Sequence, residues 1–148
     1  MNLTPSFQEL LECFGARQVR ALIVGGYALA YHARPRYTKD IDLWIDTEPE
    51  NIDRLLLALN DFGFGELGLC GADFSQPGQF VQLGYPPNRI DLMTSIPGLE
   101  FGSAWARRVR EWLGTVEIAF LARDDLILAK KAAGRAQDLA DLEVLERG

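Results

Sequence analysis

The sequence predicts an α+β fold of mixed α/β character, in which about five strands alternate with helices. The run Ala21–Val24 is short, β-branched and apolar on both faces, as is typical of a strand inside a sheet. Segment 40–46 alternates polar and apolar residues with the period of two that a strand requires. The 148 residues, 48% of them hydrophobic, suffice for one full core. We therefore expect a single domain over residues 1–148, with its core at about 20–122 and its C-terminal helices at 123–147.

Five strands are expected, at 21–24, 40–46, 80–84, 89–93 and 115–121, with at most a short further strand near 67–69. In segment 40–46 the period of two places Ile41, Leu43 and Ile45 on one face, so Asp40 and Asp42 share the other. Segments 80–84 and 89–93 read as a hairpin around a proline-rich turn. In its second strand Asp91 alternates with apolar neighbours, which indicates that it points away from the core.

Helices are expected at about 7–14, 27–32, 48–63, 101–109, 124–133 and 136–146. The first has one apolar stripe, with Ser6 as its predicted N-cap and Gly15 as its stop. Asp124 or Asp125 is expected to cap the fifth helix. In the last helix we expect Leu139, Leu142 and Leu145 to face inward.

Composition and charge limit the possible functions. The formal net charge of −6 argues against a broad DNA-binding surface, so small nucleotides or a partner protein fit better. Cys13 and Cys70 are too few for a disulfide framework, which favours a reducing cytoplasmic location. The first residues do not resemble an export signal, and no apolar run approaches membrane-spanning length, so we expect no membrane association.

The strongest functional signal is a glycine pair followed by acidic residues. Gly25-Gly26 ends the first strand and opens a helix, whose first N–H groups can bind an anion such as a phosphate. Asp40, Asp42 and Asp91 offer hard oxygen ligands for one or two Mg²⁺ ions. Clustered carboxylates repel one another, so without a metal at least one pKa should rise. The alternative is that Asp40 and Asp42 are solvent-facing residues of an edge strand.

These motifs resemble a known family. Residues 24–28, 36–44 and 132–142 are similar to small bacterial nucleotidyltransferases of the DNA polymerase β superfamily, in the branch related to AbiEii-type toxins of abortive-infection and toxin–antitoxin systems. The resemblance covers about residues 21–145. It implies a nucleotidyltransferase fold, with a mixed sheet flanked by helices. It also implies transfer of a nucleoside monophosphate from a nucleoside triphosphate to a hydroxyl, with Mg²⁺ at a two-metal site or Mn²⁺ in its place.

The resemblance also assigns roles to individual residues. Gly25 and Gly26 match the glycines that line the triphosphate, and the position after them, often Ser or Thr in the family, is Tyr27 here. Asp40 and Asp42 match the metal-binding pair. Asp91 falls where a third carboxylate completes the metal site and accepts the proton of the attacking hydroxyl. Lys130 matches a lysine that reaches nucleotide phosphates.

Several of these residues also have structural interpretations. Lys130 and Lys131 lie near a helix C-terminus, where the dipole favours cations in any case. Tyr27 and Tyr31 are one helical turn apart and either stack on a base or pack at the core boundary. The basic loop residues Arg34, Arg36 and Lys39 either grip a triphosphate or an RNA end, or balance nearby acids.

Two functions follow as hypotheses. The first is a Mg²⁺-dependent nucleotidyltransferase, whose acceptor is an RNA end, a protein side chain or a small molecule. The second is a catalytically weak or inactive protein of the same fold, acting through contact with a toxin or antitoxin partner.

Overall fold

The protein is described by a computed structural model that covers residues 3–33, 38 and 40–147. Within these ranges six strands form, namely β1 (Ala21–Val24), β2 (Asp40–Ile45), β3 (Phe80–Leu83), β4 (Arg89–Met93), β5 (Val109–Leu113) and β6 (Val116–Phe120). The α-helices of the same ranges are α1 (Pro5–Ala16), α2 (Gly25–His32), α3 (Pro49–Leu59), α4 (Phe101–Ala106), α5 (Arg123–Ala133) and α6 (Ala136–Arg147). None of the helices in the described part of the chain has both the length and the apolar character needed to cross a membrane.

The strands of the described chain form one mixed sheet in the order β3-β4-β2-β1-β6-β5. β2 pairs in parallel with β4 and antiparallel with β1, and β1 pairs in parallel with β6. The expected mixed sheet flanked by helices is confirmed, but the count of about five strands is one too low. The missing strand is β5, an edge strand whose central residues Arg110, Glu111 and Trp112 are all exposed. Without a buried face, β5 lacks the alternating pattern that marks a strand in sequence.

One face of the sheet is hydrophobic. Ile41, Leu43 and Ile45 of β2 are fully buried, as their alternation predicts. Leu43 lines a small internal space together with Phe14 of α1, so α1 covers this face. Burying a side chain of this size contributes about 1.5–3 kcal/mol. The opposite face of β2 is therefore the one that carries Asp40 and Asp42.

Two predicted helix boundaries were wrong at α1. The side chain of Thr4, not Ser6, caps the helix by accepting a hydrogen bond from the Phe7 N–H at 3.2 Å. Gly15 does not end the helix, which continues to Ala16. A Cβ at Gly15 would lie 2.4 Å from Cγ1 of Val116, so this glycine permits close packing of α1 on β6.

The C-terminal helices also differ from the prediction. α5 begins at Arg123 after Ala122, so neither Asp124 nor Asp125 is its N-cap. Leu142 and Leu145 of α6 are buried as expected, but Leu139 is 58% exposed. Asp138 and Asp141 are buried in its place, because they pair with basic side chains described below.

Near residues 67–69 the expected short strand is absent from the described chain. Residues Gly65–Leu67 form a 3₁₀ turn instead. The three glycines at 63, 65 and 68 favour such turns over a strand.

Candidate active site

The turn from β1 into α2 brings the backbone against an acidic side chain. Gly25 has φ of +64°, and a Cβ at this position would lie 2.0 Å from Oδ2 of Asp42. A Cβ on Gly26 would lie 2.8 Å from Cγ2 of Thr38. Only glycine fits such close approaches. The N-cap residue Val24 supplies no side-chain hydrogen bond, so the first N–H groups of α2 retain the capacity to bind an anion.

Strand register brings the predicted carboxylates together. Asp42 is aligned with Val24 of β1 on one side and with Asp91 of β4 on the other. Asp40 is aligned with Arg89, two residues before Asp91. Since β2 lies inside the sheet, the alternative that Asp40 and Asp42 belong to an edge strand is wrong.

The electrostatics of this cluster follow from its geometry. Burial and then the charge of Asp91, with which Asp42 shares a hydrogen bond, raise the pKa of Asp42 to about 7. Asp40 adds to the rise, whereas the Arg89 guanidinium opposes it. The expected rise of a carboxylate pKa is thus confirmed, and the cluster requires a proton or a cation to relieve its repulsion.

A cation that the sequence reasoning missed already lies in the cluster. Nε and Nη2 of Arg89 donate to the two oxygens of Asp91, each at 3.1 Å. The same Nη2 donates to Oδ2 of Asp40 at 2.6 Å. The signal was present in the sequence, because Arg89 precedes Asp91 by two residues and therefore lies on the same face of the strand.

The fit of a metal ion to this site depends on that arginine. Three carboxylates on adjacent strands are ligands that Mg²⁺ accepts, and the repulsion of Asp42 by Asp91 and Asp40 favours a cation beside them. Yet no group of three or more His, Cys, Asp or Glu side chains has the arrangement of a metal site in the described ranges. The three carboxylates therefore have the chemistry of ligands for a divalent cation but not, as arranged here, the geometry of a metal site. Asp40 and Asp91 are held by Arg89 instead.

A cavity of about 400 Å³ adjoins the cluster. Gly25 and Asp42 line one side of it, and Lys130, Arg135 and Asp138 line another. The rest of its wall is mostly apolar and includes Phe80, Met93, Ile96, Pro97, Leu121, Leu126, Ala129 and Ala133. A larger groove, of about 970 Å³, lies between α1 and the β5–β6 hairpin and shares no lining residue with this cavity.

Lys130 faces the cavity from α5. Its Nζ lies 2.9 Å from Oδ2 of Asp141 and 3.5 Å from Oδ1 of Asp138. Nε of Arg135 donates to Oδ2 of Asp138 at 2.7 Å, and this hydrogen bond lowers the pKa of Asp138. Both acids fall within the resemblance over residues 132–142, but sequence reasoning gave neither of them a role. Their positions at 138 and 141, ahead of buried Leu142 and Leu145, follow the helical spacing i, i+3, i+4 and i+7, which could have revealed them.

Tyr27 makes the contacts of a packing residue. It is 6% exposed, and its ring meets Phe7 edge-on with 5.8 Å between centroids. The ring of Tyr31 stacks on Phe120 at 4.3 Å. A nucleotide contact by Tyr27 stays a prediction. Arg34, Arg36 and Lys39 lie outside the described residues.

A glycine turn that opens a helix beside acids from two strands of a mixed sheet has the organisation expected of nucleotidyltransferases. The chain belongs to the family described as "Nucleotidyltransferase of unknown function (DUF6036)", whose model matches residues 1–146. A search of curated proteins gave no match. The relation to AbiEii-type toxins stays a prediction.

Proposed function

We propose that this protein transfers a nucleoside monophosphate from a nucleoside triphosphate to a hydroxyl in a Mg²⁺-dependent reaction, for which Mn²⁺ can substitute. The observation that supports this most directly is the composition of one cavity. It is lined by Gly25 of the glycine turn, the acid Asp42 and the base Lys130. An anion site, an acidic site and a cation around one space suit a nucleotide with its metal ion.

Each residue then has a distinct task. The N–H groups that begin α2 at Gly25 and Gly26 bind phosphate oxygens. Lys130, oriented by Asp138 and Asp141, contacts the triphosphate from α5. Asp42 and Asp91, joined by Asp40, would hold one or two Mg²⁺ ions, which neutralise phosphate charge and stabilise the charge that develops on pyrophosphate. Asp91 accepts the proton of the attacking hydroxyl.

The acceptor is the open part of the proposal. An RNA end, a protein side chain and a small molecule each offer a hydroxyl. The proposal includes membership of the AbiEii-related branch, in which the protein would act with an antitoxin or toxin partner.

The apolar wall of the cavity suits a nucleobase, because its side chains offer mainly apolar contact area.

Label transfer tests the reaction. The protein is incubated with Mg²⁺, a cell extract and each nucleoside triphosphate, labelled in separate reactions at the α-phosphate or at the γ-phosphate, and the labelled product is identified. Label from the α-phosphate but not from the γ-phosphate is expected to appear on the acceptor. Transfer from the γ-phosphate would refute nucleotidyl transfer, as would equal labelling with the Asp42→Asn variant.

Neighbouring lysines provide a matched pair for the phosphate contact. Lys130→Gln is expected to weaken triphosphate binding at least tenfold, since it removes a charge that faces the cavity. Lys131→Gln should leave binding unchanged, because Lys131 is exposed and pairs with Glu146 at 3.5 Å. Isothermal titration measures both, and thermal unfolding verifies that each variant is folded. Equal effects of the two substitutions would contradict the role of Lys130.

A second candidate is a catalytically inactive member of a toxin–antitoxin pair. The engagement of Asp40 and Asp91 by Arg89 favours it, because both carboxylates already pair with a cation and neither lines the cavity. Wild type and the Asp42→Asn variant would then bind triphosphates equally weakly in the presence of Mg²⁺, and neither would label an acceptor.

A further inference from the structure

We infer that Arg89 is the built-in counter-ion of the acidic cluster and competes with a divalent cation for Asp40 and Asp91. The inference rests on the proposed function in one respect, since it takes these acids to be metal ligands. It goes further by assigning to a residue of the chain itself the control of how tightly the metal binds.

The contacts of Arg89 are those of a cation bridging two ligands. The guanidinium binds both oxygens of Asp91 and one oxygen of Asp40. Asp91 is almost fully buried, with 4% of its side chain exposed, so a partner for its charge is required. The position between Asp40 and Asp91 is therefore filled by positive charge from β4 itself.

The charge balance of the cluster supports competition. With Asp42 ionised, three carboxylates face one guanidinium, which leaves net negative charge for a further cation. Each carboxylate oxygen that accepts from Arg89 is a weaker ligand, and the positive charge repels an arriving divalent ion. The Arg89 side chain is 31% exposed, so it can withdraw toward solvent when a metal ion takes its place. A metal ion that binds Asp40 and Asp91 therefore competes with the Arg89 contacts.

Removal of an arginine with a purely structural role would change metal affinity in the opposite direction to removal of a competing arginine. If Arg89 only held Asp91 in the orientation a metal needs, its removal would weaken metal binding. If it competes, its removal strengthens metal binding. The sign of the change therefore separates the two roles.

The chain offers a matched control. Arg107 makes the same bidentate contact with Asp125, which is also buried, with Nη2 at 2.9 Å from Oδ1. Arg107 and Asp125 do not line the cavity. Arg107→Gln therefore breaks a comparable ion pair without altering the acidic cluster.

The test is a titration of the full chain with Mn²⁺ alone, in which free Mn²⁺ is followed by electron paramagnetic resonance. We expect Arg89→Gln to bind Mn²⁺ about tenfold more tightly than wild type, because a unit charge within a few ångströms of the ion is removed. Arg89→Lys keeps the charge but loses the bidentate contact, so its affinity should lie between the two. Arg107→Gln should match wild type.

Thermal unfolding gives a second readout. Without metal, Arg89→Gln should unfold at a lower temperature than wild type, because the acids lose their counter-ion. Saturating Mn²⁺ should remove that difference. If Arg89→Gln does not fold, the comparison of Arg89→Lys with wild type decides in its place.

Unchanged or weaker Mn²⁺ binding in the Arg89 variants would overturn the inference. Failure of every variant to bind Mn²⁺ would overturn both the inference and the metal dependence of the proposed function. Tighter binding by Arg89→Gln without nucleotidyl transfer by wild type would support the inference and refute the reaction.

Discussion

The raised pKa of Asp42 predicts that replacing this residue by asparagine stabilises the protein at alkaline pH. Burial and the neighbouring Asp91 raise the pKa from near 4 to about 7. The folded state therefore favours the protonated acid. The contribution of this group to stability is complete below about pH 4 and is lost as pH rises through 7. Asparagine has a similar shape and does not titrate, so the free energy of unfolding of the variant does not fall in this way as pH rises.

The magnitude follows from the shift. One pKa unit corresponds to about 1.4 kcal/mol, so three units set an upper limit of about 4 kcal/mol. Part of this loss has already occurred at pH 5, because the acid of the unfolded chain ionises near pH 4. We expect the free energy of unfolding of Asp42→Asn to exceed that of wild type by about 2 kcal/mol more at pH 8 than at pH 5.

Urea unfolding at pH 5 and pH 8, in EDTA to remove divalent ions, measures this difference. Asp124→Asn is the control, because Asp124 has 91% of its side chain exposed and lies outside the cluster. Its difference from wild type should be nearly independent of pH. A pH-independent difference for Asp42→Asn, or a variant less stable than wild type at pH 8, would refute the reasoning.

Three further substitutions, the first with a matched control, test the fold and the site. Gly25→Ala should lower the free energy of unfolding by about 2–4 kcal/mol, since it combines a positive φ with a clash against Asp42. Gly114→Ala, with φ of +63° and open space around it, should cost only about 1 kcal/mol in the same urea titration. Asn51→Ala should cost about 2–4 kcal/mol, because a fully buried amide that binds three backbone groups is lost, and an unchanged urea midpoint would contradict this. Asp138→Asn should lower the thermal unfolding temperature at pH 7 and lower it less below pH 4. The reason is that Asp138, whose pKa is lowered in the folded state, contributes stability only while it is ionised. An equal loss at pH 7 and below pH 4 would contradict this account.

Sequence patterns predicted the position of the acidic residues beside the glycine turn better than they predicted the surrounding elements. The glycine pair and the alternating β2 strand are local signals, and the strand register brought Asp42 beside Asp91 as expected. The pairing of Arg89 with Asp40 was not predicted, because it depends on which strands become neighbours when the two residues lie 49 positions apart in the sequence. The local periodicity of the sequence does not determine which strands pair in the sheet.

Two errors elsewhere share one physical cause. β5 was missed because its exposed residues leave no apolar alternation, and it forms through its antiparallel pairing with β6. Leu139 was placed inside because apolar residues are usually buried, but ion pairs with α5 make burial of Asp138 and Asp141 favourable instead. Both cases turn on tertiary partners, which a single sequence does not specify.

The parallel pairing of β2 with β4 determines when the acidic pair can exist. Asp42 and Asp91 become neighbours only after β4 has been synthesised and aligned beside β2. A nascent chain that ends before residue 89 carries the glycine turn but only half of the acidic pair. Partial unfolding of the β3–β4 hairpin, at one edge of the sheet, would separate the pair again while leaving β1, β2 and β6 together.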